Sequence, residues 1–329
     1  VLAWDEDPLV LFQGGPAVRQ INIASPTKAF PSILNHVTLL EDEVRVGAFQ
    51  AAIAKTVRPG DVVVDVGTGT GILACFAARA GARKVYAIEE TDLITLAANL
   101  ARENGLDGRI VFLRGNSLDV PLPERADVLV TETLGHLPFE EGILRIVADA
   151  RRRFLMPEAR VVPGRLNTYL VPLGGWDLHR AIVGFWRRRV GGLDLGAARR
   201  AAAGLIYKGW IEEEEFLARP RLVWSVRLDG WMGNTLESAI RFPIERPGRL
   251  SGLGGWFEAC LARRVTINTF RGTTWRNFVL PLGRPLQVEA GDRLEVRLRL
   301  EELRRGHRIQ WHGSLSGGRG VVPFSGAAG

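Results

Sequence analysis

Three glutamates crowd the segment TETLGHLPFEEG, residues 131–142. Glu132 follows the apolar run VLV after a single threonine, and Glu140 and Glu141 come eight and nine positions later. Two converging carboxylates can hold a planar guanidinium through paired hydrogen bonds, or divide proton-transfer work between them. On an unbroken helix, at about 100° per residue, Glu132 and Glu141 would face opposite ways. Gly135 and Pro138 argue for a loop instead. Plainer readings stand beside this one. Glu132 alone can orient a hydroxyl or an amine, and Glu140 and Glu141 can simply open the next helix, where acids are favoured. His136, in the same loop, either faces an acceptor or is solvated.

A second constellation lies upstream. VVVDVGTGTGIL, residues 62–73, is an apolar strand that carries Asp65 near its end and turns through Gly67, Gly69 and Gly71 into a helix. Without Cβ atoms such a loop approaches a ligand closely and turns free N–H groups toward it. It can also be a purely structural tight turn. A dinucleotide enzyme uses much the same device, whereas a phosphate-binding P-loop is disfavoured because no GK[ST] follows. Asp65 shifts the balance from NAD toward S-adenosylmethionine, since a carboxylate there faces a pyrophosphate badly but can receive an ammonium. Glu89 closes the strand KVYAIE 24 residues after Asp65, where it can accept hydrogen bonds from the ribose hydroxyls of either ligand.

The elements that must position these residues alternate from about residue 33 to 162. DVVVDV (61–66) precedes GILACFAARA (71–80), KVYAIE (84–89) precedes TDLITLAANLARENG (91–105), and RIVFLRG (109–115), ADVLVTE (126–132) and EGILRIVADARRRFL (141–155) follow. Doubly buried strands joined by crossover helices predict a mostly parallel α/β sheet. Glu132 then leaves the carboxyl end of the fourth strand, the end at which such sheets bind ligands. Pro157 and Pro163 bracket a change of regime. Beyond it, short strand-like segments punctuated by Gly and Pro predict a β-sandwich or barrel. LDLGAARRAAAGLI (193–206) is helix-prone amid these strands, and is either packed on its own barrel or an arm reaching a second subunit.

At 329 residues, 46% hydrophobic and 24% charged, the chain suits a soluble protein of two domains. No apolar run approaches a membrane span. Residues 1–162 carry a net charge of −4 and the remainder +11, unlike a uniformly basic nucleic-acid binder. The densest basic clusters are 187–189, 199–200, 263–264 and 304–305, read as a solvated face or an attractor of an acidic partner. Cys75 and Cys260 are expected to be buried thiols in a reducing, cytoplasmic compartment. The five histidines do not cluster with them at ligand spacing, so no metal is implied.

From His36 to Leu300 the chain resembles the protein arginine methyltransferase family. HVTLLEDEVR (36–45) is similar to the segment that folds over the cofactor. VVDVGTGTGIL, GARKVYAIE and RGNSLDVPLP are similar to successive cofactor segments, and TETLGHLPFEEG resembles the double-glutamate loop. FWRRRVGGLDLGAARR resembles the start of a dimerisation arm, and TTWRN (273–277) stands where the family has a Thr-His-Trp loop. The resemblance implies an α/β Rossmann-like domain over 36–162, after an N-terminal extension or lid at 1–35. A mostly antiparallel β-barrel substrate domain would span 163–329, with a helical dimerisation arm at about 190–215 that makes a homodimer. It implies S-adenosyl-L-methionine as cofactor, S-adenosyl-L-homocysteine as product, and a protein or peptide arginine as acceptor. Arg45 would bind the methionyl carboxylate, Asp65 would lie near the amino group and Gly67 and Gly69 beside the ligand. Glu89 would take the ribose, Ser117 and Leu118 would border adenine, and Glu132 and Glu141 would hold the guanidinium. Leu39, His136, Thr274 and Trp275 would line the acceptor pocket. Without the resemblance, Arg45 reads as a helix-surface partner of Asp42 and Glu41.

Departures from the family pattern bear on the acceptor. The three tyrosines are Tyr86, Tyr169 and Tyr207, so no tyrosine-bearing lid precedes His36. Leu39 stands where many members have methionine, Leu118 where many have glutamate. Thr274 replaces a histidine, removing the charged partner expected for Asp42. A small-molecule methyltransferase is therefore the competing reading, and a noncatalytic dimeric cofactor-binding module a third. Methylation of nucleic-acid bases is disfavoured because TETLG lacks the Pro-Pro-aromatic signature of that chemistry.

Overall fold

The computed structural model describes residues 29–175, 179–303, 306–318 and 320–328. Residues 1–28 of the expected extension lie outside the described residues, as do Arg304 and Arg305. Two helices lead into the sheet, α1 (Ala29–Glu41) and α2 (Glu43–Thr56). Pro31 falls in the first turn of α1, where its missing N–H breaks no helical bond. α1 runs through the junction expected at 35/36. Asp42 separates the helices and caps α2, its Oδ1 accepting the Arg45 N–H at 2.9 Å.

β1 (Val62–Val66), α3 (Ile72–Arg79), β2 (Lys84–Glu89), α4 (Leu93–Glu103), β3 (Ile110–Arg114), β4 (Ala126–Thr131), α5 (Ile143–Arg153) and β5 (Leu155–Val162) follow. The five strands pair in parallel in the order β3-β2-β1-β4-β5. Every residue of β1 is buried, as a strand covered on both faces requires. The strand order reverses between β1 and β4, leaving a crevice at their carboxyl ends. There Val66 stands level with Ile88 on one side and Thr131 on the other. The residues that follow these three, Gly67, Glu89 and Glu132, are thereby brought to one rim. β5 was not expected as a strand. Pro157 falls near its start, where the pairing with β4 shifts register and no ladder donor is needed.

The second half comprises β6 (Arg165–Gly174), β7 (Arg189–Val190), β8 (Leu193–Asp194), α6 (Gly196–Ala203), β9 (Tyr207–Gly209), β10 (Arg221–Arg227), β11 (Thr235–Pro243), β12 (Gly248–Ala262), β13 (Val265–Asn268), β14 (Asn277–Val288), β15 (Arg293–Glu302), β16 (His307–Gly317) and β17 (Gly320–Ala328). They form two antiparallel sheets, β10-β6-β12-β14-β9 with β13 on β12, and β11-β15-β16-β17. β10 adjoins β11 and β14 adjoins β17, which makes the pair barrel-like. One apolar core runs from Phe49 and Val64 in the first half to Phe257 and Trp311 in the second. That continuity fixes the cleft between the halves.

In the stretch expected as a helical arm, the α-helix among the described residues is the eight-residue α6, preceded by a π-helical turn over Arg180–Gly184 and the β7–β8 hairpin. Gly191 and Gly192, at φ 58° and 82°, make the hairpin turn a longer helix would have to cross. α6 contacts β14 of its own barrel. Both cysteines are unpaired and half-buried rather than buried.

Candidate active site

The crevice beyond β1 is built largely by backbone. Gly67 and Gly69 have φ of 73° and 54°, which side-chain-bearing residues rarely adopt. The Gly67 and Thr68 N–H groups both donate to the Ile88 carbonyl at 3.0 Å, folding the loop over β2. Glu89 holds that fold: Oε2 accepts the Gly69 N–H at 3.0 Å and Oε1 the Thr91 N–H at 2.9 Å. A carboxylate has about four lone-pair sites, so capacity remains for two further donors. Asp65 is fully buried. Its Oδ2 accepts the Thr68 hydroxyl at 2.5 Å, and Oδ1 has no partner. Burial pushes this carboxyl up to about 7, against the pull of the Thr68 hydroxyl and the Ala74 backbone N–H and with the Glu89 charge adding to the rise.

Opposite this loop, Arg45 departs from the helix-surface reading. Its guanidinium crosses from α2 to pair with Glu132 Oε2, and its plane lies over the Trp275 ring, 4.2 Å from the centroid. Burial brings Arg45 down to about 10, with Asp42 and Glu141 opposing the change, so it stays charged at neutral pH. Glu132 Oε1 is buried and unpartnered. Glu141 keeps solvent contact while nearby protein crowds it. That crowding raises its carboxyl, and the Arg45 charge partly offsets the rise. Both outer glutamates thus face the same guanidinium.

Glu140 does not open α5, which begins at Ile143 after Gly142. Its carboxyl folds back and accepts the Leu137 N–H at 3.3 Å. Burial raises it to about 7 despite hydrogen bonds from the Leu137 and His136 backbone. Gly135 is required here, because a Cβ on it would strike the Glu140 side chain. His136 is tied to the barrel: its Nδ1 accepts the Arg276 N–H at 2.8 Å. Asp42 keeps its link to the TTWRN loop without a charged partner, as its Oδ2 accepts the Thr274 N–H at 2.7 Å and the Thr274 hydroxyl at 2.9 Å. Trp275 is buried and donates Nε1–H to the Leu134 carbonyl at 2.9 Å. Leu39 is half-buried on α1, and Ser117 and Leu118 are half-buried in the turn after β3. That turn is braced by the Asn116 side chain at the Leu118 N–H, 3.0 Å, and by Arg153 at the Ser117 carbonyl, 2.5 Å.

One residue escaped the sequence reading. Glu302, 3% exposed, accepts the Leu144 N–H at 3.1 Å and the Arg145 N–H at 2.6 Å from the far end of β15. A signal existed. Leu294, Val296, Leu298 and Leu300 are the inward residues of a period-2 strand, and Glu302 is next in phase.

The residues present fit S-adenosylmethionine. Two buried carboxyl oxygens, on Asp65 and Glu132, lack partners beside a loop of left-handed glycines, and a Cβ on Gly67 would press on Thr133 at 3.0 Å.

Fold and crevice together define a Rossmann-like α/β core joined to an antiparallel, barrel-like domain. The family model for ribosomal protein L11 methyltransferase (PrmA) matches residues 49–160. The chain is 28% identical to protein arginine N-methyltransferase PRMT10 of Oryza sativa subsp. japonica, covering 90% of this chain and 88% of that one. It is 35% identical to probable protein arginine N-methyltransferase 6 of Arabidopsis thaliana, covering 68% of this chain and 53% of that one. Among solved structures, the Trypanosoma brucei PRMT1 enzyme-prozyme heterotetrameric complex with AdoHcy superposes with a TM-score of 0.81 at 22% identity, over 91% of this chain and 98% of that one. Arabidopsis thaliana protein arginine methyltransferase 10, in an open conformation, gives 0.76 at 23% identity, over 90% and 97%. The chain belongs to the protein arginine N-methyltransferase family.

Proposed function

We infer that this chain is an S-adenosylmethionine-dependent N-methyltransferase whose acceptor is the guanidinium of an arginine in a protein or peptide. The observation that carries the reading is Glu132, a half-buried carboxylate at the exit of β4 with one oxygen on Arg45 and the other buried and unpartnered. The bound cofactor supplies an electrophilic methyl on a sulfonium. Arg45 would hold its carboxylate, Asp65 would lie near its ammonium, Glu89 would take the ribose, and Gly67, Gly69, Ser117 and Leu118 would border it.

The remaining work falls to the acidic side. Glu132 Oε1 accepts an N–H from the incoming guanidinium, and Glu141 accepts a second from the cleft mouth. Held at two points, the planar group presents its remaining nitrogen in line with the methyl. The methylated guanidinium sheds one proton, and Glu141 is suited to receive it. Crowding has raised its affinity for protons, and its solvent contact lets the proton leave. The Arg45–Trp275 stack keeps Glu132 from turning away.

A homodimer belongs to the same reading. Phe185, Val190, Leu193, Leu205 and Trp210 are exposed apolar residues in or beside the arm, and a second copy covering them removes a patch that monomers rarely present.

The test is incubation with methyl-labelled S-adenosylmethionine and arginine-containing peptides, followed by mass analysis of every product. Label on arginine side chains supports the reading. Label confined to molecules below peptide size, the outcome that Thr274 and the tyrosine-free stretch before His36 would explain, replaces it with a small-molecule methyltransferase.

A further inference from the structure

We propose that Glu302, with its cross-strand partner His307, is a positioning residue that sets the main chain on both sides of Glu141 from the barrel. This inference rests on the methyltransferase reading above and adds a residue to it.

The argument starts from what Glu141 lacks. Among the described residues its carboxylate accepts no hydrogen bond, and the interaction it shows is with the Arg45 charge. Its placement is therefore dictated by the backbone before and after it. After it, α5 opens with Gly142 as N-cap, at φ 82° and with no side chain to satisfy the first-turn N–H groups. Glu302 supplies that acceptor in trans, one oxygen each to Leu144 and Arg145. The carboxyl sits where the positive end of the helix dipole favours an acid. The Arg145 guanidinium returns the contact to the Leu303 carbonyl.

Before Glu141, the Glu140 backbone meets the His307 ring. Glu302 and His307 are directly paired across β15 and β16, so both side chains leave the same face of the sheet. One end of the β15–β16 pair thus grips the loop at two points that bracket Glu141. The grip also explains a buried carboxyl at the end of an apolar strand face, which a barrel core alone has no use for.

Displacing a reactive or orienting group by about 1 Å can cost about 10²-fold in rate. Glu302→Ala is expected to lower kcat by about that factor, with cofactor affinity measured by calorimetry changed less than about twofold. Glu302→Gln, which keeps one good acceptor, should recover part of the loss. Amide hydrogen exchange read by mass spectrometry should rise in peptides covering 137–146 and stay unchanged in those covering 62–73. Unchanged exchange over 137–146, or full kcat in Glu302→Ala, overturns the proposal. Should Glu302→Ala not fold, His307→Phe is read by the same exchange and kcat measurements, with the same two outcomes deciding. A wild-type chain that transfers no methyl group to any acceptor sinks the enzymatic reading instead, while the exchange result still judges the positioning role.

Discussion

The two sides of the crevice are made in different ways. The cofactor side comes from one stretch of chain: β1, its glycine loop, β2 and the turn after β3 fall within 62–118, and backbone N–H groups and left-handed glycines do most of the shaping. The acceptor side is collected from α2, the β4–α5 loop, the 273–277 loop and the ends of β15 and β16. Most of its connections join residues more than 80 positions apart. A site of the first kind is specified by local steric rules. One of the second kind exists only once the two halves have closed on their shared core.

The largest effect should come from breaking the acceptor side at its centre. Glu132→Gln keeps the size of the side chain but removes the charge that pairs with Arg45 and would face the guanidinium. Methyl transfer is expected to fall by about 10³-fold, at the upper end of the span of about 10²–10³ for losing one charged group that holds and stabilises the reacting centre. Cofactor affinity should fall far less, because Arg45 keeps its Trp275 stack. Equal losses in the two quantities, from calorimetry and single-turnover rates, would erase the division between the sides.

A change on the other side should reverse the pattern. Gly69 has φ 54°, and a Cβ there would collide with the His36 ring. The left-handed conformation costs an alanine about 1–2 kcal/mol, so Gly69→Ala should weaken cofactor binding by about tenfold. The Glu89 contact to the Gly69 N–H would be displaced with it. At saturating cofactor, kcat should stay within about threefold of the parent, at the roughly 0.6 kcal/mol level of thermal energy. A collapse of kcat at saturation would show that loop and clasp are one unit.

This division also decides what the sequence could disclose. KVYAIE is a strand over those same residues, and the helices expected after each of the first two strands are present within two residues at either end. Their periodicity is local and strong. β5 was hidden because Pro157 interrupts the apolar pattern where a register shift makes the proline harmless. The α6 helix was legible from its alanines, but the turns around it were set by Gly191, Gly192 and their neighbours. On the acceptor side the carboxylates could be named from spacing, yet their partners could not. His136 with Arg276, and Glu302 with the start of α5, join residues 140 or more apart in sequence, and Asp42 was tied to position 274 only through the family resemblance. Sequence spacing says nothing of which distant loop will fill a lone pair. Only the alternation of β15, with an acid in phase with its leucines, hinted at the last.

The smallest effect concerns stability against pH and again separates the sides. Asp65 on the cofactor side, and Glu140 and Glu302 on the acceptor side, are each raised to about 7, chiefly by burial. Unfolding returns them to their ordinary values, 3.8 for the aspartate and 4.5 for the glutamates. Between those limits the folded chain holds more protons than the unfolded one, so stability falls as pH rises. Their contribution is whole below about 4, and is lost as pH passes 7. His307 and His179 are depressed by burial from 6.5 and act in the opposite sense, withdrawing stability as pH falls through that range. With three carboxyls against two histidines, the unfolding midpoint should drop from pH 6 to pH 8. Asp65→Asn should flatten that profile less than Glu140→Gln combined with Glu302→Gln, since two of the three raised groups lie beside the acceptor loop. Scanning calorimetry should resolve the difference, at about 2–4 °C for each kcal/mol. If Asp65→Asn alone removed the whole slope, the acceptor-side carboxyls would be ionised in the folded chain. The Glu302 contact to the Leu144 and Arg145 N–H groups would then be that of a full anion at the end of α5.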